Sequence, residues 1–265
     1  MEQKTKNKYS PWILMIVALA IVATLFIYFT ADKDKPNFSV SGHPEWPPAM
    51  YRDKEEIAGI GAELMKIIGH DLGFNVEAKY TGQWSQTLEK ARNSELDALV
   101  GIYKTVERGS YFDFSTPYML DPVAVYVKKG KSFNAPDWDS YIGKKGVLTT
   151  GDSYGQALDT EMEQIFTTVR VDTVARAFDM LINDEADYFI YAYNAGDKAL
   201  KEAGLTDRIE VLPRFIVVEY LYFAFPKNSP MLEYLPQINE KLEQYKKDGT
   251  VDRLMAEYRS KFYNQ

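Results

Sequence analysis

The sequence predicts an α/β protein made of two lobes that share a hinge. Strand and helix patterns alternate from residue 38 to residue 103, and a second alternating unit runs from about Pro122 to Tyr220. No low-complexity linker separates the two units. Alternating strands and helices build a mainly parallel sheet covered by helices. Two such units joined by extended strands, with no flexible tether, read as lobes around a common hinge. An apolar helix is expected to precede them.

Each element has a local signal. Phe38-Ser39-Val40 reads as a first strand and is followed by the Pro-rich loop His43-Pro44-Glu45-Trp46-Pro47-Pro48. Ile60, Leu64, Ile67, Ile68 and Leu72 recur at helical spacing, and Gly73 stops that helix. Asn75–Tyr80 reads as a strand, Trp84–Asn93 as a helix and Leu96–Tyr103 as a buried strand. In the second unit, strands are expected at Val123–Lys129, Gly146–Thr150, Val169–Asp172, Tyr188–Ala192 and Ile209–Leu212. Gly151-Asp152-Ser153 precedes a helix expected through Phe166, a further helix is expected over Val174–Ile182, and Asp137–Tyr141 reads as a loop or short turn. Leu221–Phe225 reads as a further strand, and helices over Met231–Lys247 and Val251–Phe262 close the chain.

Composition narrows the functional classes. The 265 residues are 46% hydrophobic and 26% charged, which is ordinary for a globular chain with room for two domains. A net charge of −7 argues against nucleic acid as the main partner, because phosphate binding needs a basic surface. With no cysteine there is no disulfide framework, thiolate zinc site, thiol nucleophile or iron–sulfur cluster. His43 and His70 are the only imidazoles, so multi-histidine metal sites are implausible and no cofactor is implied.

At the N-terminus, Lys4, Lys6 and Lys8 precede an apolar run from Trp12 to Phe29, which Asp32-Lys33-Asp34-Lys35 ends. This pattern exports the chain downstream of it, with the basic flank kept in the cytoplasm. Residues 1–35 are therefore a signal peptide or an uncleaved anchor. Phe29-Thr30-Ala31 lacks the small residue that a cleavage site places at its −3 position, which favours the anchor.

Gly101-Ile102-Tyr103-Lys104-Thr105-Val106-Glu107-Arg108 follows an apolar strand. It therefore lies at the carboxyl edge of an α/β sheet, where such sheets bind ligands. Gly101 permits close backbone approach and Arg108 can hold a carboxylate bidentately; an ordinary surface arginine is the alternative. Thr150-Gly151-Asp152-Ser153 enters a helix and offers either amides for an anion or a simple cap. Trp46, Trp84, Tyr103, Tyr191 and Tyr193 fall in candidate loops where aromatic rings can wall a ligand. Glu45, Glu63, Asp152, Asp187 and Glu219 are candidate cleft carboxylates, but their spacing marks no general acid/base pair.

Thr105-Val106-Glu107-Arg108 followed by Asp113-Phe114-Ser115-Thr116-Pro117-Tyr118 resembles the bacterial extracellular solute-binding proteins of family 3, the polar-amino-acid-binding proteins of ABC transporters. Gly59–Leu64, Asn183–Asp187 and Lys247-Asp248-Gly249-Thr250 extend the resemblance from about Asn37 to Tyr263. It implies a type II periplasmic binding protein-like fold, with lobe one at 36–121 plus 221–265 and lobe two at 122–220. The implied hinge strands lie near Leu120–Val123 and Phe215–Leu221.

The resemblance also implies roles. Arg108 matches the carboxylate anchor, Gly101 a backbone acceptor for the ligand ammonium, and Tyr103 a place usually held by Ser or Thr. Trp84 and Trp46 match wall positions, and Ser153 matches the second-lobe contact to the carboxylate. His43 stands where many members have an acid. Ala192 stands where the family has the aspartate that pairs with the ammonium, beside Tyr191 and Tyr193. That leaves three options: another acid such as Glu219 takes the ammonium, an aromatic box holds a diffuse cation, or the ligand is a plain organic acid. The function implied is non-enzymatic capture of an amino acid or related carboxylate, outside the cytoplasmic membrane, by a monomer that delivers it to the membrane permease of an ABC transporter. The alternatives are a membrane-anchored ligand sensor subunit and a cyclohexadienyl dehydratase-like enzyme on the same fold.

Overall fold

A computed structural model describes residues 12–13, 15–21 and 35–263. Residues 12–13 and 15–21 are helical and exposed. Among the described residues no helix is long and apolar enough to cross a membrane. The rest of the expected signal or anchor lies outside the described residues.

From residue 35 onward, β1 (Asn37–Ser41) comes first, followed by a small antiparallel sheet of β2 (Glu45–Trp46), β3 (Met50–Asp53) and β4 (Glu56–Ala58). Then come α1 (Ile60–Leu72), β5 (Asn75–Ala78), α2 (Trp84–Arg92), β6 (Ala98–Ile102) and β7 (Phe112–Phe114). The second stretch is β8 (Met119–Lys128), β9 (Lys145–Thr149), α3 (Gln156–Ile165), β10 (Thr167–Val171), α4 (Val174–Ile182), β11 (Tyr188–Ala192), α5 (Tyr193–Glu202) and β12 (Ile209–Val211). β13 (Val217–Pro226), α6 (Leu235–Lys247) and α7 (Thr250–Tyr263) complete it.

The main sheet has the order β10-β9-β11-β8-β13-β6-β1-β5. At one end β5, β1 and β6 run parallel; at the other, β10, β9 and β11 do. β8 and β13 lie between them and pair antiparallel, from Met119 opposite Leu221 to Val123 opposite Val217. β8 then continues antiparallel to β11, and β13 antiparallel to β6. Two parallel α/β units are thus joined by a two-stranded antiparallel crossover, the architecture read from the alternation. Because β1 and β6 are parallel, their carboxyl ends emerge side by side, and those ends carry His43 and the Tyr103–Arg108 segment toward the other unit.

Packing explains the placement. Apolar positions on α1 bury Ile60, Leu64, Met65 and Ile68, and Gly73 ends the helix at φ 81 while its N–H bonds the Gly69 carbonyl. Gly61 sits so close to β6 that a Cβ there would fall 2.1 Å from the Val100 carbonyl oxygen. β6 itself is buried along its whole length, as expected for a strand covered on both faces.

Three expectations change. α3 starts at Gln156 after Gly155, so Gly151–Ser153 precede the helix as expected, but neither Asp152 nor Ser153 caps it. The region expected to be helical from Met231 splits into a 3-10 turn, Pro230–Tyr234, and α6, with Pro236 in its first turn. Tyr193 begins α5 directly after β11 and is not in a loop.

Candidate functional site

The loop after β6 folds back through Thr105. Its hydroxyl accepts the Arg108 N–H at 3.1 Å, and its carbonyl accepts the Gly109 N–H at 2.9 Å. This local cap turns the Arg108 side chain inward, where only 6% of the residue is exposed. Nη1 donates to the Tyr103 carbonyl at 2.8 Å and Nη2 to the Gly151 carbonyl at 3.2 Å, so the guanidinium bridges the two units. Among the described residues no carboxylate forms an ion pair with it. Burial pushes its pKa below the usual arginine value, opposed mainly by Asp152 and then Asp159. A buried guanidinium held only by carbonyl dipoles retains a demand for an anion.

Arg108 lines a small cavity between the units, about 20 Å³ in volume. His43, Trp46, Trp84, Gly101, Tyr103 and Ser153 also line it. A Cβ at Gly101 would meet Met50 Cε at 2.1 Å and the Tyr118 hydroxyl at 2.8 Å, so the wall here needs a residue without a side chain. Trp84 donates from Nε1 to the Gly151 carbonyl at 3.0 Å, a second link across the cleft. The His43 ring lies 5.0 Å from Trp46 and 5.3 Å from Trp84. Ser153 turns its hydroxyl to Asp159 at 2.5 Å, within its own unit.

Several residues singled out in the sequence stand off the cavity, Glu45, Glu63 and Asp187 among them. Tyr191 lies in buried β11, packs 5.0 Å from Trp46 and donates to the Glu45 carbonyl at 2.6 Å. Glu219 lies in the crossover, opposite Asp121, with its carboxylate against Gly155; burial raises its pKa. Tyr193 packs 5.2 Å from Phe215. Ala192 is fully buried opposite Val123.

Two acids shape the site. Asp152, a candidate cleft carboxylate in the sequence, lines the cavity and meets His43 across the cleft. Asp121 carries no sequence signal. It is buried in the crossover, and its Oδ2 accepts from Trp46 Nε1 at 2.6 Å and from the Tyr103 hydroxyl at 2.8 Å. Burial drives its pKa from 3.8 up to about 6, and those two donors oppose the rise. Asp121 thus ties two wall residues to the strand on which the units cross.

Among the described residues no group of three or more potential ligands could hold a metal ion. The arrangement offers a cation, an anion and aromatic walls around a small chamber, a set suited to holding a polar molecule.

The chain is similar to known proteins in sequence and in fold. The model of the bacterial extracellular solute-binding proteins, family 3, matches residues 38–261. The amino-acid-binding protein AabA of Dichelobacter nodosus is 26% identical over 227 residues, covering 83% of this chain and 86% of its own. Among solved structures, a histidine kinase sensor domain with similarity to periplasmic binding proteins superposes with a TM-score of 0.72 at 22% identity, covering 85% of this chain and 97% of that one. The amino acid ABC transporter substrate-binding protein AbpA of Streptococcus pneumoniae, bound to L-arginine, gives a TM-score of 0.70 at 21% identity, covering 86% and 97%.

Proposed function

The chain belongs to the bacterial extracellular solute-binding proteins, family 3, and we propose that it captures a small carboxylate-bearing solute, an amino acid, with Arg108 as the anchor. Lobe one is then 36–121 with 221–265, and lobe two is 122–220. The observation that carries this reading is the buried Arg108 guanidinium, which has carbonyl partners and no ion-paired carboxylate among the described residues. A bound carboxylate supplies the missing charge. AabA is an amino-acid-binding protein and AbpA was solved with L-arginine, which supports the ligand class.

Capture needs no chemistry. The solute docks on lobe one, lobe two closes over it by rotation about β8 and β13, and the closed protein presents the solute to the permease of an ABC transporter. The N-terminal apolar segment delivers the lobes to the outer face of the cytoplasmic membrane, as a signal or an anchor.

A thermal-shift panel of amino acids and organic acids tests the reading. A ligand at about 100 times its Kd adds about 2.7 kcal/mol, which raises the melting temperature by roughly 5–10 °C for a chain of this size. Arg108→Ala is expected to weaken the best ligand about 30-fold, the worth of about 2 kcal/mol for charge-assisted bonds. An unchanged shift in that variant would remove Arg108 as the anchor.

A further inference from the structure

Arg108 accounts for one end of the ligand; the other end needs an acid. Ala192 supplies none, and the Glu219 carboxylate lies against Gly155, off the cavity. Among the described residues, Asp152 is the only acid in the lining of the small chamber walled by Trp46 and Trp84; a second, more open cavity that Arg108 also lines adds Glu107, Asp159 and Glu163. Its side chain is 1% exposed. Oδ2 is anchored within its own lobe by the Thr149 hydroxyl, which leaves Oδ1 facing lobe one. There it meets His43 Nε2 at 3.3 Å.

The state of His43 decides how well it serves Asp152. The Glu45 N–H donates to His43 Nδ1 at 3.0 Å. A nitrogen that accepts carries no proton, so Nε2 is the N–H of a neutral ring. The Asp152 carboxylate therefore has two neutral donors and, among the described residues, no Lys or Arg paired with it; the Arg170 guanidinium reaches only its backbone carbonyl, at 3.0 Å. A charged N–H on a carboxylate is roughly twice as strong as a neutral one, so an ammonium arriving at Oδ1 outcompetes the imidazole. Trp46 and Trp84, flanking the imidazole, would then flank that nitrogen, and an aromatic face also favours a cation.

We propose that Asp152 is the acceptor for the ligand's cationic nitrogen, so that Arg108 and Asp152 together select a zwitterion: a free amino acid over a plain organic acid. The selection rests on Arg108 as the carboxylate anchor. It moves ammonium recognition from the strand end at 192 to the turn after β9, and it gives His43 the role of an internal donor that the ligand displaces.

The test uses the purified full chain, with calorimetry against each of the twenty standard L-amino acids and against propionate, butyrate and succinate, which lack the nitrogen. The wild type is expected to bind at least one amino acid about tenfold or more tightly than any of the three acids. Asp152→Asn is expected to weaken that amino acid by about 10- to 100-fold, the worth of one charge-assisted hydrogen bond. The same variant is expected to bind propionate at least as well as the wild type, because a negative charge near Arg108 is gone. Amino-acid affinity within threefold of wild type in Asp152→Asn overturns the proposal, as does an equal loss for amino acid and propionate. A wild type that answers to the plain acids and to no amino acid overturns it too, but leaves capture at Arg108 standing. A wild type that answers to neither class overturns both.

Discussion

Gly61→Ala is expected to destabilise the protein by about 3 kcal/mol, the upper end for overpacking, although it adds a single methyl group. The added carbon would lie 2.1 Å from the Val100 carbonyl oxygen and 2.9 Å from the Tyr118 hydroxyl. A side chain can swing away from such a contact, but a carbonyl in the middle of a sheet cannot. β6 is held on one side by β1 and on the other by β13, so moving Val100 means moving three strands. The Gly61 N–H also bonds the Ala49 carbonyl at 2.9 Å, which fixes α1 from its other side. Gly109→Ala is the control: a Cβ there would have nothing within 4 Å, and its cost should stay within about 0.5 kcal/mol. Urea unfolding of the two variants decides the matter. If Gly61→Ala falls within about 1 kcal/mol of the control, the close approach of α1 to β6 is not as tight as described.

Asp121 should show the second large effect, with opposite outcomes for two substitutions. Asp121→Ala strands the Trp46 indole N–H and the Tyr103 hydroxyl in the interior, at a cost of about 3–5 kcal/mol for two unsatisfied donors. Asp121→Asn keeps an acceptor for both and removes the charge. The sign of the pH effect follows from the direction of the shift. The folded protein holds the proton up to about pH 6, whereas the ordinary value is 3.8. The stability from the protonated form is therefore complete below about pH 4 and is lost as pH rises through about 6. The interval corresponds to about 3 kcal/mol at most. Relative to Asp121→Asn, the wild type should lose stability between about pH 4 and pH 7. Denaturation of both across that range measures the difference directly, and a constant difference would refute the buried ionisation.

The sequence reveals what is local and strongly patterned. α1, α4 and β11 have long apolar faces or runs, and each falls within about a residue of its expected span. β3, β4 and β7 leave no comparable trace: each has three or four residues, and Arg52, Asp53, Glu56 and Asp113 interrupt any apolar pattern. α5 is equally hard to read, because its buried face includes Ala195 and Gly196, which add little hydrophobic signal, and because it begins without a loop after β11. The site divides in the same way. Arg108 stands in a contiguous motif, so it can be read from the chain. Asp121 acts through Trp46 and Tyr103, which lie 75 and 18 residues away, and only the fold brings them together. Asp152 is visible as a carboxylate in a turn, but its direction depends on Thr149 and on a histidine from the other side of the cleft.

The crossover also bears on how the chain is made. β6 ends at Ile102, but the strand that covers its outer edge, β13, begins only at Val217. On a ribosome, the first α/β unit therefore emerges with that edge unpaired, and it stays so until nearly the whole chain has been synthesised. The second unit waits less, because β8 to β12 are contiguous in sequence and only the start of β8 is left for β13 to cover. Unpaired edges invite wrong partners. Synthesis thus favours an order in which the inserted unit is complete first and the returning strand seals the earlier one. In the export proposed above, this delay would keep the chain incompletely folded while it is still being made.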